Sequence, residues 1–557
     1  MKVIRINLVL ILFFIFTGII LGRLFFLQII QYQYWQALAQ GQQKSFIFLP
    51  EERGEIFFQG GEKLVTNHEQ ELVYASPFEI KDPEKTAEML SLILGLDKES
   101  ILEKLKKNSY YEVIKKKLNQ EEVENLKNIK INGIYLAKEK IRYYPFESMA
   151  CHVIGFVGGD NNGQYGIEGF YNDILKGKDK ILEKEIGPNG FFERNSDLPE
   201  KGADLVLTLD YNIQFFAERL LEKAKNDLNI EEGEIIVLDP NTGKIFALAN
   251  FPFFNPNQYS AVEDLEIFQN SSIQKFFEPG SIFKPITIAA AIDADKITPK
   301  TTYVDNGFVE IGGHRISNYA NRSWGEKTMT EVLERSINTG AIFAEQQLGD
   351  KDFLDYLNRF GIFQPTQIDL QGEIFSENKE LKKGYKINFA TASFGQGVEM
   401  TSIQLVRAIA AIANGGKLIR PYVVDKIIKN DKIIETKTEV QNPSVISKNT
   451  ASQLTTMLMS VVEKGYGKEA KIPGYYIAGK TGTAQIPWTS LKINKKGYSD
   501  KTIQSFIGFG PALDPKFLIL VKLYNPQAKT AEYSAAPIFK ELAKYIINLW
   551  KIPPDYE

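Results

Sequence analysis

From Ile6 to Ile30 the chain is apolar almost without a break, and no other stretch limits its fold so severely. Ile6 to Gly22 is interrupted only by Asn7 and Thr17; with Arg23 snorkelling to the interface, the run continues to Ile30. That is long enough to cross a bilayer as a helix. Its Leu, Ile, Val and Phe residues favour insertion by about 0.3 to 0.6 kcal/mol each, which outweighs a single Asn7 near the interface. Lys2 and Arg5 precede the span, and apart from Arg23 no charge follows until Lys44. The positive-inside rule therefore puts the N-terminus in the cytoplasm and the remainder outside. A cleaved signal peptide is the competing reading. No small-x-small site follows the apolar core, however; bulky Leu24-Phe25-Phe26-Leu27 and then Tyr32, Tyr34 and Trp35 do. The expectation is a retained single-pass anchor in the cytoplasmic membrane, within residues 1–44.

The 557 residues, 44% hydrophobic and 24% charged, provide for two or three globular domains. A formal charge of −3 gives no electrostatic basis for binding nucleic acid. Cys151 is the only cysteine, so no intramolecular disulfide can form. The adjacent Cys151-His152 pair is either a thiol nucleophile, half a metal site, or a buried thiol beside an imidazole; with no further Cys or His nearby, the last is expected. No metal or cofactor is implied. The three histidines sit in no recognisable motif, which favours lysine over a Ser-His-Asp arrangement wherever a base is needed.

Residues 45–203 alternate β-like and helical runs and read as a spacer or interaction domain. Pro83 to Lys107 and Glu121 to Ile129 have helical periodicity with charged outer faces. The glycine cluster from Gly155 to Gly169 has neither a P-loop lysine nor a G-x-G-x-x-G opening a helix, and reads as a turn-rich hinge. A second domain, 204–557, opens with Asp210 as N-cap of a helix from Tyr211 to Leu228. A hairpin follows: Glu234 to Leu238, the turn Asp239-Pro240-Asn241-Thr242-Gly243, then Lys244 to Leu248. Strand-like Tyr476 to Ala478, Ile503 to Gly508 and Lys516 to Leu523 precede a last helix over about Ala531 to Trp550. Helices at both ends, strands early and late and a helical middle give an α+β arrangement with one mostly antiparallel sheet.

Three short patterns in this second domain carry chemistry. In Glu278-Pro279-Gly280-Ser281-Ile282-Phe283-Lys284-Pro285, Ser281 and Lys284 are three apart, hence on one helix face, a hydroxyl with an amine able to deprotonate it. Pro279-Gly280 is a turn and Pro285 is tolerated only near a helix start, so the helix is expected to begin near Ser281 and run to about Ile292. Ser336-Ile337-Asn338 offers a hydroxyl to relay a proton and an amide to hold a carbonyl. Lys480-Thr481-Gly482-Thr483 places a cation and two hydroxyls on a strand edge, with a glycine that lets another backbone come close. Such an edge binds a peptide ending in a carboxylate, and the N–H groups of Thr483 and Ser281 can form an oxyanion hole.

The order S-x-x-K, S-x-N, K-T-G resembles that of the penicillin-binding and serine β-lactamase superfamily. Arg53-Gly54-x-Ile56, Arg142-x-Tyr144-Pro145, Gly166-Ile167-Glu168-Gly169, Gly395-x-Gly397, Asn414-Gly415-Gly416 and Phe506-x-Gly508-Phe509-x-Pro511 are similar to class B penicillin-binding proteins over nearly the whole chain. The resemblance implies a β-lactamase/D,D-peptidase-like domain behind an N-terminal pedestal. The implied activity is that of a D,D-transpeptidase cross-linking peptidoglycan stem peptides, inhibited by β-lactams. On this resemblance Ser281 attacks the D-Ala-D-Ala carbonyl, Lys284 is its base and Ser336 passes the proton to the leaving D-Ala. Asn338 binds the substrate amide, and Lys480, Thr481 and Thr483 hold the terminal carboxylate.

The resemblance also implies a SEDS-type glycan polymerase as membrane partner. Two departures stand out: Phe58-Gln59 replaces the usual Asp-Arg pair after Arg53-Gly54-x-Ile56, and Ser-Ile-Asn sits closer to division-type than to elongation-type members, pointing to a division or sporulation role. No C-terminal β-lactam-sensing repeat is expected after Trp550. The alternatives are a membrane-anchored β-lactam sensor or inactive scaffold, and a D,D-carboxypeptidase or β-lactamase that delivers water in place of an amine.

Overall fold

The computed structural model describes residues 2–32, 44–49, 52–109, 111–129, 131–177, 180–187, 190–193 and 201–557. By packing, the chain forms two units, one of Met1–Arg53 with Lys176–Gly202, the other of Gly54–Leu175 with Ala203–Glu557. In the first, the helix Lys2–Phe25 continues into a π-helical turn Phe26–Ile30. The stretch Val3–Ile30 is long and apolar enough to cross a membrane, as its sequence requires. Of the bulky residues expected to flank the span, Tyr34 and Trp35 lie outside the described residues. The same unit holds an antiparallel sheet of Lys44–Leu49, Lys180–Gly187 and Gly190–Glu193.

The second unit is built on two sheets. One has the order Lys432–Glu435, Val424–Lys429, Asp204–Leu207, Ile56–Phe57, Lys63–Ala75, Glu112–Lys115, with Ile134–Tyr143 also paired to Lys63–Ala75. The short strand Asp204–Leu207 joins its halves, pairing antiparallel with Val424–Lys429 and parallel with Ile56–Phe57. The helices Pro83–Leu94, Lys98–Leu105 and Gln120–Asn128 pack Ala87, Leu90, Ile101 and Val123 against Val73 and Ala75 of this sheet. The two periodic stretches read from sequence are these helices, the first divided by Gly95, whose φ of 63° ends the turn.

The other sheet is antiparallel throughout, in the order Ile245–Phe251, Gly233–Leu238, Phe517–Tyr524, Tyr498–Gly510, Ala478–Pro487. Gly233–Leu238 and Phe517–Tyr524 are buried along nearly their whole length because both faces are covered, and the two charges they carry, Glu234 and Lys522, pair with each other at 2.7 Å. Ile235, Val237, Ile519 and Val521 pack on the helices Tyr211–Leu228 and Ala535–Leu549. The alternate residues Ile236, Leu238, Leu518 and Leu520 pack with Ile286, Ala290, Val406 and Leu454 from the helices Lys284–Asp293, Ser402–Ala413 and Lys448–Lys464. The α+β layers are those expected. Asp210 caps as foreseen, accepting from the N–H groups of Asn212 (2.8 Å) and Ile213 (3.1 Å).

One expectation is corrected. The glycine cluster is a packed element and not a hinge. Phe156–Val157 and Gly163–Gln164 form a small hairpin, and the helical turn Gly166–Phe170 buries Ile167 and Glu168. Glu168 Oε1 takes a 2.6 Å ion pair from Arg142 Nε, and Gly155 and Gly166 adopt φ of 72° and 44° that allow the close backbone approach. Where the usual Asp-Arg pair is missing, Phe58 is fully buried, with ring centroids 5.5 Å from Tyr211 and 6.0 Å from Phe146. Aromatic packing provides the contact there. Cys151 and His152 are both buried, with His152 Nε2 2.9 Å from Ile267 O. Burial pushes the thiol up and pulls the imidazole down to about 4, as suits a structural pair.

Candidate active site

The helical segment begins near Ser281 as expected, but its first turn is not α-helical. Gly280–Phe283 is a 3₁₀ turn, and the α-helix Lys284–Asp293 starts after it, with Pro285 in its first turn where a missing N–H costs nothing. Ser281 is partly exposed, whereas Ile282, Phe283 and Lys284 are buried. Glycines bring its neighbours together. A Cβ on Gly482 would lie 2.6 Å from Ser505 Oγ and 3.0 Å from Ile282 Cγ2, so only a glycine lets the strand Ala478–Pro487 pass this close to the serine turn. On the other side Gly280 N donates to Gly395 O at 2.9 Å, with Gly395 at a φ of 83°. The strand Ala478–Pro487 lies at the edge of its sheet, with the 3₁₀ turn packed against it.

Lys284 is fully buried, and its amine does not bond Ser281. Nζ donates to Ser336 O (2.6 Å), Asn338 Oδ1 (2.8 Å) and, more loosely, Ser336 Oγ (3.3 Å). Lys480, 1% exposed, reaches the same hydroxyl from the opposite side: its Nζ is 3.0 Å from Ser336 Oγ and 2.9 Å from Thr481 O. Ser336 can be shared this way because its backbone lies in the left-handed region, φ 55°, which turns both its carbonyl and its hydroxyl toward the lysines. The loop arises where the helix Met329–Glu334 ends and Asn338–Leu348 begins.

Burial holds the Lys284 amine well below the usual lysine range, and the Lys480 charge lowers it further. Burial also brings Lys480 down to about 7. An amine kept near neutrality at this depth is competent to take a proton, and a hydroxyl between two amines is competent to pass one on. The structure thus gathers Lys284, Ser336, Asn338 and Lys480 by direct contact, sets Ile282, the residue after Ser281, against Gly482 of the Lys480 strand, and adjoins Thr481 to Lys480. Thr483 is farther round: its hydroxyl accepts from Ala531 N at 3.3 Å.

Two parts of the site had no sequence signal of their own. Glu278 Oε2 accepts from the Tyr498 hydroxyl at 2.9 Å, fastening the start of the serine turn to the strand Tyr498–Gly510; burial raises the carboxyl. Asn318 lies behind Asn338, accepting from its N–H, and donates in turn to Asp305. Among the described residues no cluster of His, Cys, Asp and Glu could hold a metal ion.

The chain is similar to known proteins. The penicillin binding protein transpeptidase domain matches residues 233–544, and the penicillin-binding protein dimerisation domain matches residues 49–207. Stage V sporulation protein D of Bacillus subtilis is 34% identical over 532 residues, 93% of this chain and 81% of that protein. The probable peptidoglycan D,D-transpeptidase PbpC of Pseudomonas aeruginosa is 30% identical over 563 residues, 99% of this chain and 96% of the relative. Among solved structures, penicillin binding protein 3 of Mycobacterium tuberculosis in complex with aztreonam superposes with a TM-score of 0.71 at 25% identity, covering 91% of this chain and 98% of that one.

Proposed function

The chain belongs to the penicillin-binding protein family, with a dimerisation segment ahead of a transpeptidase segment as in class B members, and from that premise we propose that it is a peptidoglycan D,D-transpeptidase working through a Ser281 acyl-enzyme. The observation that carries this reading is the convergence of Lys284 and Lys480 on Ser336 Oγ beside the Ser281 turn. Ser281 Oγ attacks the carbonyl of the D-Ala-D-Ala bond while its proton passes to neutral Lys284. The oxyanion is met by the N–H groups of Ser281 and Thr483. The proton moves through Ser336 to the departing D-Ala nitrogen as the C–N bond breaks. An amine from a second stem peptide then attacks the ester, giving up its proton along the same path, and Ser281 is restored. Asn338 orients the substrate amide. Lys480, Thr481 and Thr483 line the edge on which the terminal carboxylate docks. β-Lactams enter as substrate mimics, and their acyl-enzyme persists.

In this reading Val3–Ile30 anchors the protein in the cytoplasmic membrane with the catalytic unit outside. Residues 45–203 form the pedestal, 204–557 the transpeptidase domain, and a SEDS-type polymerase is the membrane partner. Ser-Ile-Asn in the middle motif and the likeness to a sporulation protein support a division or sporulation role in wall synthesis. The test is product analysis of the purified full chain with a donor peptide ending in D-Ala-D-Ala and an acceptor amine. The reading requires the cross-linked product. Release of D-Ala with hydrolysed donor alone would make the protein a carboxypeptidase, and stable penicillin labelling without turnover would make it a sensor or scaffold.

A further inference from the structure

The helix Asn338–Leu348 has no cap of its own, since the residue at its N-cap position is Ile337. The cap is supplied from a distant turn. Asn318 Oδ1 accepts from Asn338 N at 3.0 Å and from Thr339 N at 3.1 Å, satisfying two of the helix's free donors. Asn318 is held in turn by Asp305, whose two carboxylate oxygens lie 2.9 and 3.0 Å from Asn318 Nδ2. Asp305 is 1% exposed and takes further bonds from Gly307 N (2.9 Å), Trp324 N (2.9 Å) and Thr339 Oγ1 (2.7 Å). All these partners are amide or hydroxyl donors. Its charge lies behind a helix N-terminus, where the dipole favours an anion.

Forward of the clamp, Asn338 Nδ2 donates to Ser317 O at 3.2 Å, so its Oδ1 is the end that faces Lys284 Nζ at 2.8 Å. Ser336, two residues earlier, keeps a φ of 55° that only a surrounding structure can impose on a residue with a side chain. Lys284 restrains that turn from one side, and Asn318 from the other.

We propose that Asp305 and Asn318 are positioning residues for the acyl transfer, a buried acid–amide clamp that fixes the Ser336–Asn338 turn and so keeps Lys284 and Ser336 in register with Ser281. The inference rests on Ser281 being the nucleophile. It goes beyond that reading in assigning a catalytic consequence to residues that touch neither substrate nor reacting atoms.

The test follows acylation of the full chain in detergent by a fluorescent penicillin at saturating concentration across pH. The proteins compared are the wild type, Asn318→Ala, Asp305→Asn and the exchange Asp305→Asn with Asn318→Asp. Each single variant is expected to label to completion but about tenfold or more slowly, the scale of losing a buried hydrogen bond to a charged group. The acid limb of the rate should move to lower pH, because an Asn338 oxygen that drifts away no longer favours the Lys284 ammonium. The charged groups around that amine are Lys480 across Ser336 and Asp305 behind Asn338. The exchange variant again opposes an amide to a carboxylate, but the amide at position 305 turns its NH2 toward the N–H of Gly307 or Trp324, so it should recover part of the rate. The proposal is overturned if the single variants acylate at the wild-type rate with an unmoved limb. It is also overturned if their loss tracks a lower folded fraction in a thermal melt and the exchange recovers nothing. Should Asn318→Ala not fold, the isosteric Asp305→Asn decides by the same criteria. A wild type that labels elsewhere than Ser281 would instead sink the underlying nucleophile assignment.

Discussion

Lys284 and Lys480 address one atom from two sides: their Nζ atoms lie 3.3 and 3.0 Å from Ser336 Oγ. Two ammonium groups cannot share a buried hydroxyl comfortably, and each lysine's burial disfavours its charge. The pair therefore works best with Lys284 neutral as the base and Lys480 the cation.

A pH dependence follows from this division. Acylation needs deprotonated Lys284, so the rate rises with pH, and because that amine sits well below its ordinary range the rise falls well below pH 10. In Lys480→Met the like charge is gone, the Lys284 ammonium is less disfavoured, and its pKa goes up. The acid limb of the acylation rate at saturating β-lactam then moves to higher pH. Lys284→Met, which has no base at all, loses about 10³-fold in acylation rate constant. Rapid-mixing fluorescence across pH measures both.

Gly482→Ala tests the close approach of strand and serine turn. Its Cβ would meet Ser505 Oγ at 2.6 Å and Ile282 Cγ2 at 3.0 Å, so strand and turn must part. We expect a stability loss of about 1 to 3 kcal/mol, the usual range for overpacking. Acylation should fall by more than the change in melting temperature explains, since Ser281 moves with Ile282.

Glu218 carries a second pH signature, away from the site. Its Oε1 accepts from Ala150 N and Gln214 Nε2 at 2.7 Å each, and burial pushes its pKa up to about 7. A carboxyl whose folded pKa exceeds the unfolded value of about 4.3 favours folding at low pH, and that contribution is lost as pH rises through 7. Relative to Glu218→Gln, the wild type should therefore lose melting temperature between about pH 4.5 and 7. A flat difference across that window would contradict the assignment.

Much of this was readable from the residues, for reasons that differ by element. Asp210 before an amphipathic run, and Asp239-Pro240-Asn241-Thr242-Gly243 between two apolar runs, are local signals, and each forms the cap or turn its chemistry dictates. The three motifs were legible by their order, although their meeting at Ser336 is a tertiary fact. Asp305 and Asn318 were not legible. They come from a stretch of short strands without sustained periodicity, and their effect depends on a helix start lacking a local cap. Gly155 to Gly169 misled because glycine signals both flexibility and tight packing, and only the buried Arg142–Glu168 pair shows which applies. Asp204–Leu207 joins the two halves of one sheet, which a reading element by element could not foresee.

The most direct test of the account is intact-mass and peptide-mapping mass spectrometry of the full chain after incubation with benzylpenicillin. The account predicts one penicilloyl group per chain, carried on Ser281, and none on Ser281→Ala. An adduct on another residue, or one that survives in Ser281→Ala, would contradict it.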